Sequence, residues 1–305
     1  MADMDIRALL ADNAACVEQA LATRTDTVAE LGALGSDNDI KELREAEDYS
    51  LMAGGKRIRP TLTLEACRAL GGSQEAAVPF ACAVEMIHTY SLIHDDLPCM
   101  DNDDLRRGKP TCHKVFGEAT AFLAGDGLLT DAFSMIAANR SVSESVRLEA
   151  VRTLAQAAGS TGMVGGQIMD MRGERERLSL DTLKLLHARK TGAMIRASVQ
   201  LGVLAAGEHR GSDAWRALTR YAECIGLAFQ VVDDVLDVTA DPAQLGKSIG
   251  KDQNADKTTF LTYYTVDEAS AYARELTDEA CDAVADYDAS GTLRALARYL
   301  AERVY

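Results

Sequence analysis

The sequence predicts an all-α fold, on three observations. Apolar residues recur at helical spacing almost throughout, and no segment shows the convincing alternation of a half-buried strand. Alanine, leucine, glutamate and arginine, which are strong helix formers, dominate the composition. The 305 residues contain no linker rich in proline or serine. We therefore expect one helical domain over residues 1–305, long enough to bury a sizeable core.

Capping and breaking residues set the expected helix boundaries. Gly54-Gly55 signals the end of the second helix, and Pro60 suits the first turn of the third. Ser73 caps the fourth helix, which should end or distort at Pro98. Gly192 interrupts a long helix and predicts a local kink there. The expected helices are 6–22, 38–52, 60–71, 73–97, 118–138, 143–157, 162–171, 181–206 and 212–238, followed by a polar loop at 241–257 and further helices to about 304.

The charge and the cysteines exclude several classes of protein. A net charge of −15 disfavours binding to nucleic acid or to an anionic membrane, so a phosphate-bearing substrate needs local basic clusters or bound metal. The seven cysteines are scattered without a C-x-x-C pair, which indicates reduced thiols rather than disulfides or a zinc site. No stretch approaches the ~20 apolar residues of a spanning helix, and the acidic start is no signal peptide. We expect a cytoplasmic protein without membrane insertion.

Two apolar helices each end in a cluster of aspartates. Asp233 and Asp237 are four residues apart and share a helix face, where like charges are unfavourable unless a cation lies between them. Carboxylate oxygens are the ligands that Mg²⁺ prefers, with substrate phosphates and water completing its shell. Either cluster alone could be a solvated helix end, but two make coincidence harder to accept. We expect both helices to face one cavity. The clusters are Asp95, Asp96, Asp101, Asp103 and Asp104, and Asp233, Asp234 and Asp237.

Basic residues lie close to these clusters in the sequence. Arg106, Arg107 and Lys109 follow the first cluster, and guanidinium groups beside a metal suit a diphosphate. The segment GGKRIRP supplies further cations at a helix boundary, where backbone N–H groups favour anions, although such residues also cap helix dipoles. They are Lys56, Arg57 and Arg59.

Three weaker signals suggest how a reaction could be supported. A kink at Lys190-Thr191-Gly192 would free backbone carbonyls to stabilise a carbocation, although a surface lysine beside a tolerated glycine is the alternative. The loop with Lys247, Lys251 and Lys257 could close over phosphates or be only polar. His88 and Gln230 fall on the helix faces of their aspartates, where ordinary packing is the alternative reading.

Together these motifs resemble the trans isoprenyl diphosphate synthases, in particular the short-chain farnesyl and geranylgeranyl diphosphate synthases. The motifs GGKRIRP, DDLPCMDNDDLRRGKPT, KTG, FQVVDDVLD and GKSIGKD occur in the family's order between Gly54 and Lys257. The resemblance implies a bundle of antiparallel helices around a central active-site cavity, the isoprenoid synthase type I fold. It also implies a homodimer and three Mg²⁺ ions bound with the diphosphate.

The resemblance assigns roles residue by residue. Asp95, Asp101 and Asp233 match the metal ligands, Asp237 acts through water, and Asp96 and Asp234 belong to the metal site as groups that orient its ligands. Residues matching the allylic diphosphate site are Arg106, Lys190, Lys247 and Lys257. Residues matching the isopentenyl diphosphate site are Lys56, Arg59, His88 and Arg107, and Thr191 and Gln230 match the dipoles that face the cation.

The implied reaction joins isopentenyl diphosphate head to tail with dimethylallyl or geranyl diphosphate. The family's chain-length floor falls on Tyr90 and Ser91, just before the first aspartate cluster. Tyr90 lies about 7–8 Å below the metal site on a helix that rises ~1.5 Å per residue. A ring there favours the C15 product, farnesyl diphosphate, over the C20 alternative, geranylgeranyl diphosphate. The family's basic C-terminal tail is reduced to Arg303.

Three other interpretations fit less well. A terpene cyclase of the same fold usually replaces the second aspartate motif and does not need the Lys56 and Arg59 anion site. A non-catalytic partner subunit would not be expected to keep both aspartate clusters and the lysines intact. A helical metal-binding or scaffold protein would not explain two separate basic clusters.

Overall fold

The computed structural model describes residues 5–24, 40–239 and 257–302, and nearly all regular structure within these ranges is helical. The all-α prediction is confirmed. The helices are α1 (Ile6–Ala22), α2 (Lys41–Leu51), α3 (Ile58–Ala69), α4 (Gln74–Asp95), α5 (Cys112–Phe116), α6 (Glu118–Ala138), α7 (Glu144–Ala158), α8 (Met163–Gly173), α9 (Leu180–His187), a π-helical turn (Ala188–Gly192), α10 (Ala193–Ala205), α11 (Asp213–Thr239), a 3₁₀ turn (Phe260–Thr262), α12 (Val266–Ala283) and α13 (Thr292–Ala301).

Short polar side chains start several of these helices by accepting hydrogen bonds from the first free backbone N–H groups. Asp5 caps α1 by accepting from Arg7 N and Ala8 N at 3.0 and 3.1 Å. Ser73 caps α4, as predicted, by accepting from Ala76 N at 3.2 Å. Thr265 starts α12 with a capping box, in which its hydroxyl and the N3 side chain satisfy each other's backbone donors.

The helices α4 and α10 form the centre of the bundle. α4 packs against α1, α3, α6 and α10, while α10 also packs against α3, α7 and α11. A glycine allows the close approach of α10 to α3, because a Cβ added at Gly202 would lie 2.3 Å from the carbonyl oxygen of Thr63. The main core takes side chains from α1 to α13, and a smaller one gathers around Phe260. The single domain over residues 1–305 stays a prediction for the whole chain.

The predicted helix boundaries agree with the structure to within a few residues, with four differences. One is the short helix α5 at Cys112–Phe116, which was not predicted. α4 ends at Asp95 rather than near Leu97, because the chain turns before Pro98. The predicted helix 181–206 is divided into α9, the π-helical turn and α10, so the kink expected at Gly192 takes the form of a π turn. A two-stranded hairpin, β1 (Leu105–Arg106) and β2 (Lys109–Pro110), was not predicted because its strands have only two residues each.

Two described helices, α4 and α6, are long and apolar enough to cross a membrane by length and composition alone. This corrects the expectation that no stretch would qualify, because isolated charges such as Asp126 do not offset the apolar residues around them. In α4, 72% of the 18-residue apolar segment is buried inside the bundle, as expected for its central helix. In α6 only 39% is buried, so this helix keeps a large apolar face uncovered.

Candidate active site

The first aspartate cluster is built on a turn that follows α4. The N–H of Asp101 donates to the carbonyl oxygen of Asp95 at 2.9 Å, so the chain folds back as the proline predicted. Asn102 supports the turn with a left-handed backbone and donates its N–H to Leu97 O at 3.1 Å. Burial raises the pKa of Asp95 to about 6, although nearby Lys190 opposes the shift. A carboxylate in this setting gains from a nearby cation.

Asp96 is buried and binds Arg106. It accepts hydrogen bonds from Arg106 Nε at 2.9 and 3.1 Å and a further one from Nη2. Burial raises the pKa of Asp96, and the guanidinium partly offsets this effect. Asp103 lies 3.6 Å from the same guanidinium. The carboxylate therefore fixes an arginine beside Asp95, and the orienting role of Asp96 in a metal site stays a prediction.

The hairpin after this cluster positions the two arginines. Arg107 and Gly108 form its turn with φ angles of 54° and 75°, as a two-residue hairpin turn requires. Arg107 Nη1 donates to Gly54 O, and its guanidinium lies so close to Gly55 that a Cβ there would be 2.8 Å from Cζ. The hairpin therefore docks on the glycine pair of GGKRIRP.

The basic residues of GGKRIRP divide into two roles. Arg57 is buried, with contacts to Glu85, to Glu18 at 3.0 Å and to Leu51 O at 2.6 Å. Its charge is therefore matched internally and holds the loop against α1 and α4. Lys56, in contrast, is exposed. The grouping of all three cations as ligand-binding residues is thus corrected for Arg57.

Arg59 and His88 form the corner of this second basic group. Arg59 Nη1 lies 3.4 Å from His88 Nε2. Burial, reinforced by Arg59 and Arg107, lowers the pKa of His88 well below its ordinary value. A neutral imidazole beside guanidinium groups indicates a strongly positive corner, which suits an anion.

The second aspartate cluster lies on α11, opposite the π turn. Asp233 accepts from Gln230 Nε2 at 3.3 Å. Gln230 Oε1 accepts from Thr191 Oγ1 at 3.1 Å and lies 3.0 Å from His187 Nδ1. The predicted dipolar groups Thr191 and Gln230 are thus in direct contact, next to Asp233. Asp237 lies exposed near the end of α11.

Asp234, the next residue of the cluster, anchors the 3₁₀ turn. Its Oδ2 accepts from Phe260 N at 2.7 Å, and the Phe260 ring stacks on His187 with centroids 5.4 Å apart. Burial raises the pKa of Asp234 to about 7, with the Phe260 N–H opposing the shift. These contacts tie the segment that carries Lys257 to α11, and the orienting role of Asp234 in a metal site stays a prediction.

Sequence reasoning missed Asp170, which joins the two described lysines of the predicted allylic site. Lys190 Nζ donates to Asp170 Oδ2, and Lys257 Nζ lies 3.0 Å from Oδ1. Burial alone would raise the pKa of Asp170, but the two lysines outweigh it and lower the pKa. The available signal was a single acid in an apolar, glycine-rich helix, at 163–173. Lys247 and Lys251 lie outside the described residues.

The helices that carry the two aspartate clusters both pack against α10. α10 and the π turn pack against α11, and α10 also packs against α4. Lys190 contacts Asp170 from the π turn, and its charge opposes the rise in the pKa of Asp95. That the helices of both clusters face one cavity stays a prediction.

Tyr90 is held beneath Asp95 by other rings. It is 6% exposed and packs edge-on against His94, with centroids 5.7 Å apart. His94 stacks on Phe122 at 5.1 Å and fits over Gly125, where a Cβ would lie 2.1 Å from its Nε2. Burial and Asp95 raise the pKa of Tyr90 to about 12, so the phenol stays neutral. The Ser91 hydroxyl donates back to its own helix, to His88 O at 2.8 Å.

The donor set of the clusters fits Mg²⁺. The described residues include no group of three His, Cys, Asp or Glu side chains close enough to hold an ion by themselves. Carboxylates in separate clusters match an ion that takes only one or two protein ligands at a time and completes its shell with phosphates and water. Asp95, Asp101 and Asp233 are the residues that would hold it.

An all-helical bundle with two aspartate clusters and two groups of cations has the architecture of an isoprenyl diphosphate synthase. Solved structures agree with this class. The apo structure of an FPP/GFPP synthase from Zymomonas mobilis superposes with a TM-score of 0.80 and 36% identity, covering 96% of this chain and 99% of the other.

The chain belongs to the polyprenyl synthetase family, whose sequence profile matches residues 40–297. Geranylgeranyl pyrophosphate synthase 7, chloroplastic, of Arabidopsis thaliana is 47% identical over 86% of this chain and 76% of its own. The farnesyl diphosphate synthase of Geobacillus stearothermophilus is 53% identical over 72% of this chain and 74% of its own. The protein is therefore a prenyltransferase of isoprenoid synthesis, and its substrates are small isoprenyl diphosphates.

Proposed function

We propose that the protein makes farnesyl diphosphate from isopentenyl diphosphate and the allylic diphosphates dimethylallyl and geranyl diphosphate, with Mg²⁺ as its cofactor. The observation that carries the product assignment is the buried ring of Tyr90, five residues before Asp95 and supported by His94. A ring below the reacting carbon limits how far a growing chain can extend. The likeness to a bacterial farnesyl diphosphate synthase supports the same product.

Each group of side chains has a part in the proposed reaction. Mg²⁺ bound by Asp95, Asp101 and Asp233 would neutralise charge on the departing diphosphate. Arg106, Lys190 and Lys257 bind that diphosphate as its C–O bond breaks and the electron pair leaves with it. Positioned cations of this kind stabilise charge where it develops, at no cost of reorganisation.

The second substrate attacks the allylic cation. Lys56, Arg59 and Arg107 hold the diphosphate of isopentenyl diphosphate, so that its double bond lies next to the cation. The oxygen dipoles of Thr191 and Gln230 face the positive charge. A new C–C bond forms, and the released diphosphate accepts the proton whose loss restores a double bond.

Geranylgeranyl diphosphate synthase is the second candidate. Plant geranylgeranyl pyrophosphate synthases, including those of Arabidopsis thaliana and Catharanthus roseus, match 86% of this chain at 47% and 48% identity. Their likeness favours a C20 product, whereas the ring of Tyr90 favours C15.

Product analysis tests the proposal. Purified protein is incubated with Mg²⁺, isopentenyl diphosphate and dimethylallyl diphosphate, and the dephosphorylated alcohols are identified by mass spectrometry. Farnesol as the main product supports the proposal, and geranylgeraniol would replace the C15 assignment with C20. A parallel sample with excess EDTA should give no prenyl alcohol, while turnover without free divalent metal would contradict the Mg²⁺ assignment.

The homodimer is proposed on the uncovered face of α6. Phe122 and Leu123 on this helix are 49% and 56% exposed, and Val115 nearby is 48% exposed. An exposed apolar face of this kind typically marks a protein interface. Leu123→Glu should shift the protein toward monomer in analytical ultracentrifugation, whereas Leu148→Glu, at a 71% exposed leucine on α7, should not. A dimer unaffected by Leu123→Glu would place the interface elsewhere. The cytoplasmic location stays a prediction.

A further inference from the structure

Asp170 makes the same kind of contact with two lysines that come from distant parts of the chain. Lys190 Nζ donates to one carboxylate oxygen, and Lys257 Nζ lies 3.0 Å from the other. Asp170 is 7% exposed, while about a third of each lysine side chain remains accessible. The Asp170 carboxylate is therefore buried beneath two partly accessible cations.

A glycine in α8, the helix that carries Asp170, lets this helix pack closely against the π turn. Gly166 lies four residues earlier, on the same face of α8. A Cβ at Gly166 would lie 2.3 Å from Lys190 N and 2.5 Å from its Cα, so a larger residue would push the two elements apart. Only the absence of a side chain at Gly166 permits this approach, which places Asp170 beside Lys190.

Electrostatic repulsion explains why the two lysines need a shared carboxylate. Two ammonium groups this close repel each other in a partly buried site, and one shared carboxylate reduces that repulsion. Each ammonium has three N–H donors, so the contact with Asp170 uses only part of its hydrogen-bonding capacity. The three groups together retain one net positive charge near Asp95.

We propose that Asp170 is a positioning residue that holds Lys190 and Lys257 together as one binding unit for the allylic diphosphate. This inference rests on the proposed function, because it assigns the two lysines to that substrate. Asp170 itself does not touch the substrate. Without its negative charge the lysines separate, and the affinity for the allylic diphosphate falls while the isopentenyl diphosphate site is unaffected.

The test is steady-state kinetics with geranyl diphosphate and isopentenyl diphosphate varied in turn. Asp170→Asn keeps the shape of the side chain and removes its charge, so the KM for geranyl diphosphate should rise about tenfold or more. The KM for isopentenyl diphosphate should stay within about twofold. The control is Glu174→Gln, which removes the charge of an exposed carboxylate four residues after Asp170. It should leave both KM values unchanged.

Two further variants separate positioning from a structural role. Asp170→Glu keeps the charge and should raise the geranyl diphosphate KM clearly less than Asp170→Asn does. In a Lys257→Gln background, Asp170→Asn should cost less than it does alone, since one of its two partners is already lost. Equal effects on both substrates, equal effects of Asn and Glu, or full additivity with Lys257→Gln would each overturn the proposal. A wild-type protein without prenyltransferase activity would instead refute the proposed function.

Discussion

The backbone N–H of Asp101 donates to the carbonyl oxygen of Asp95 at 2.9 Å, which brings together two aspartates that are six residues apart in the sequence. Side chains six apart do not share a helix face, so the turn at Pro98 creates the pair. A rigid pair of this kind is suited to share metal ions with the second cluster on α11.

The first prediction concerns these carboxylates. Asp95→Asn and Asp233→Asn should each lower turnover by about a thousandfold or more, because each removes a ligand charge that neutralises the diphosphate. Circular dichroism should show an unchanged helical fold. Asp104→Asn is the matched control, since Asp104 is an exposed member of the first cluster that pairs with Lys114 at 2.8 Å. Near-normal turnover in both site variants would refute the metal assignment.

The second prediction concerns product length. Tyr90→Ala should shift the main product from C15 to C20 or longer, because it removes the ring below Asp95. Tyr90→Phe keeps the ring and should leave the distribution of products unchanged. Mass spectrometry of the alcohols measures both. If the alanine variant gives the same products as the parent, Tyr90 is not the floor.

The third prediction concerns stability and pH. Burial lowers the pKa of His187 to about 4 from an ordinary value of 6.5, although Gln230 opposes the shift. Between pH 6.5 and 4 the unfolded chain therefore binds a proton at His187 that the folded protein does not bind. The contribution of the neutral imidazole to the free energy of unfolding is fully present above pH 6.5 and is lost as the pH falls toward 4. Relative to His187→Asn, the wild type should lose about 2 kcal/mol of unfolding free energy between pH 7.5 and 5. Urea titrations at both pH values measure this, and parallel losses would show that His187 titrates normally.

The fourth prediction concerns the buried ion pair beneath the basic corner. Arg57→Met leaves Glu85 buried without its partner and should lower the free energy of unfolding by about 3–5 kcal/mol. Lys41→Met breaks an exposed pair with Glu45, 3.6 Å long, and should cost less than about 1 kcal/mol. Chemical denaturation compares the two. A cost for Arg57→Met as small as that of the control would mean that Arg57 does not hold the loop.

Local signals made much of the fold predictable. α1 and α6 have the predicted bounds, and Ser73 and Pro98 act where the sequence places them. The hairpin escaped prediction because two-residue strands carry no periodicity. In the site, both aspartate clusters stood out because like charges were grouped at helix ends.

Other site features depend on tertiary contacts that no local pattern encodes. Arg57 belongs to the same short basic motif as Lys56, and only the positions of Glu18 and Glu85 on other helices give it a structural role. Asp170 appears as a lone acid until folding brings Lys190 and Lys257 to it. Isolated charges are therefore the residues for which sequence reasoning is weakest.

The π turn at Ala188–Gly192 sets how α10 is rotated about the helix axis relative to α9. A π turn accommodates one more residue than an α-helical turn, and each residue of a helix spans about 100° of rotation. The residues of α10 are therefore displaced by about 100° from the positions they would occupy on an uninterrupted α-helix continuing from α9. The additional residue thus adjusts the rotation of α10 relative to α9. It lets the π turn direct Lys190 and Thr191 toward the active site while α10 keeps its apolar residues in register with the core.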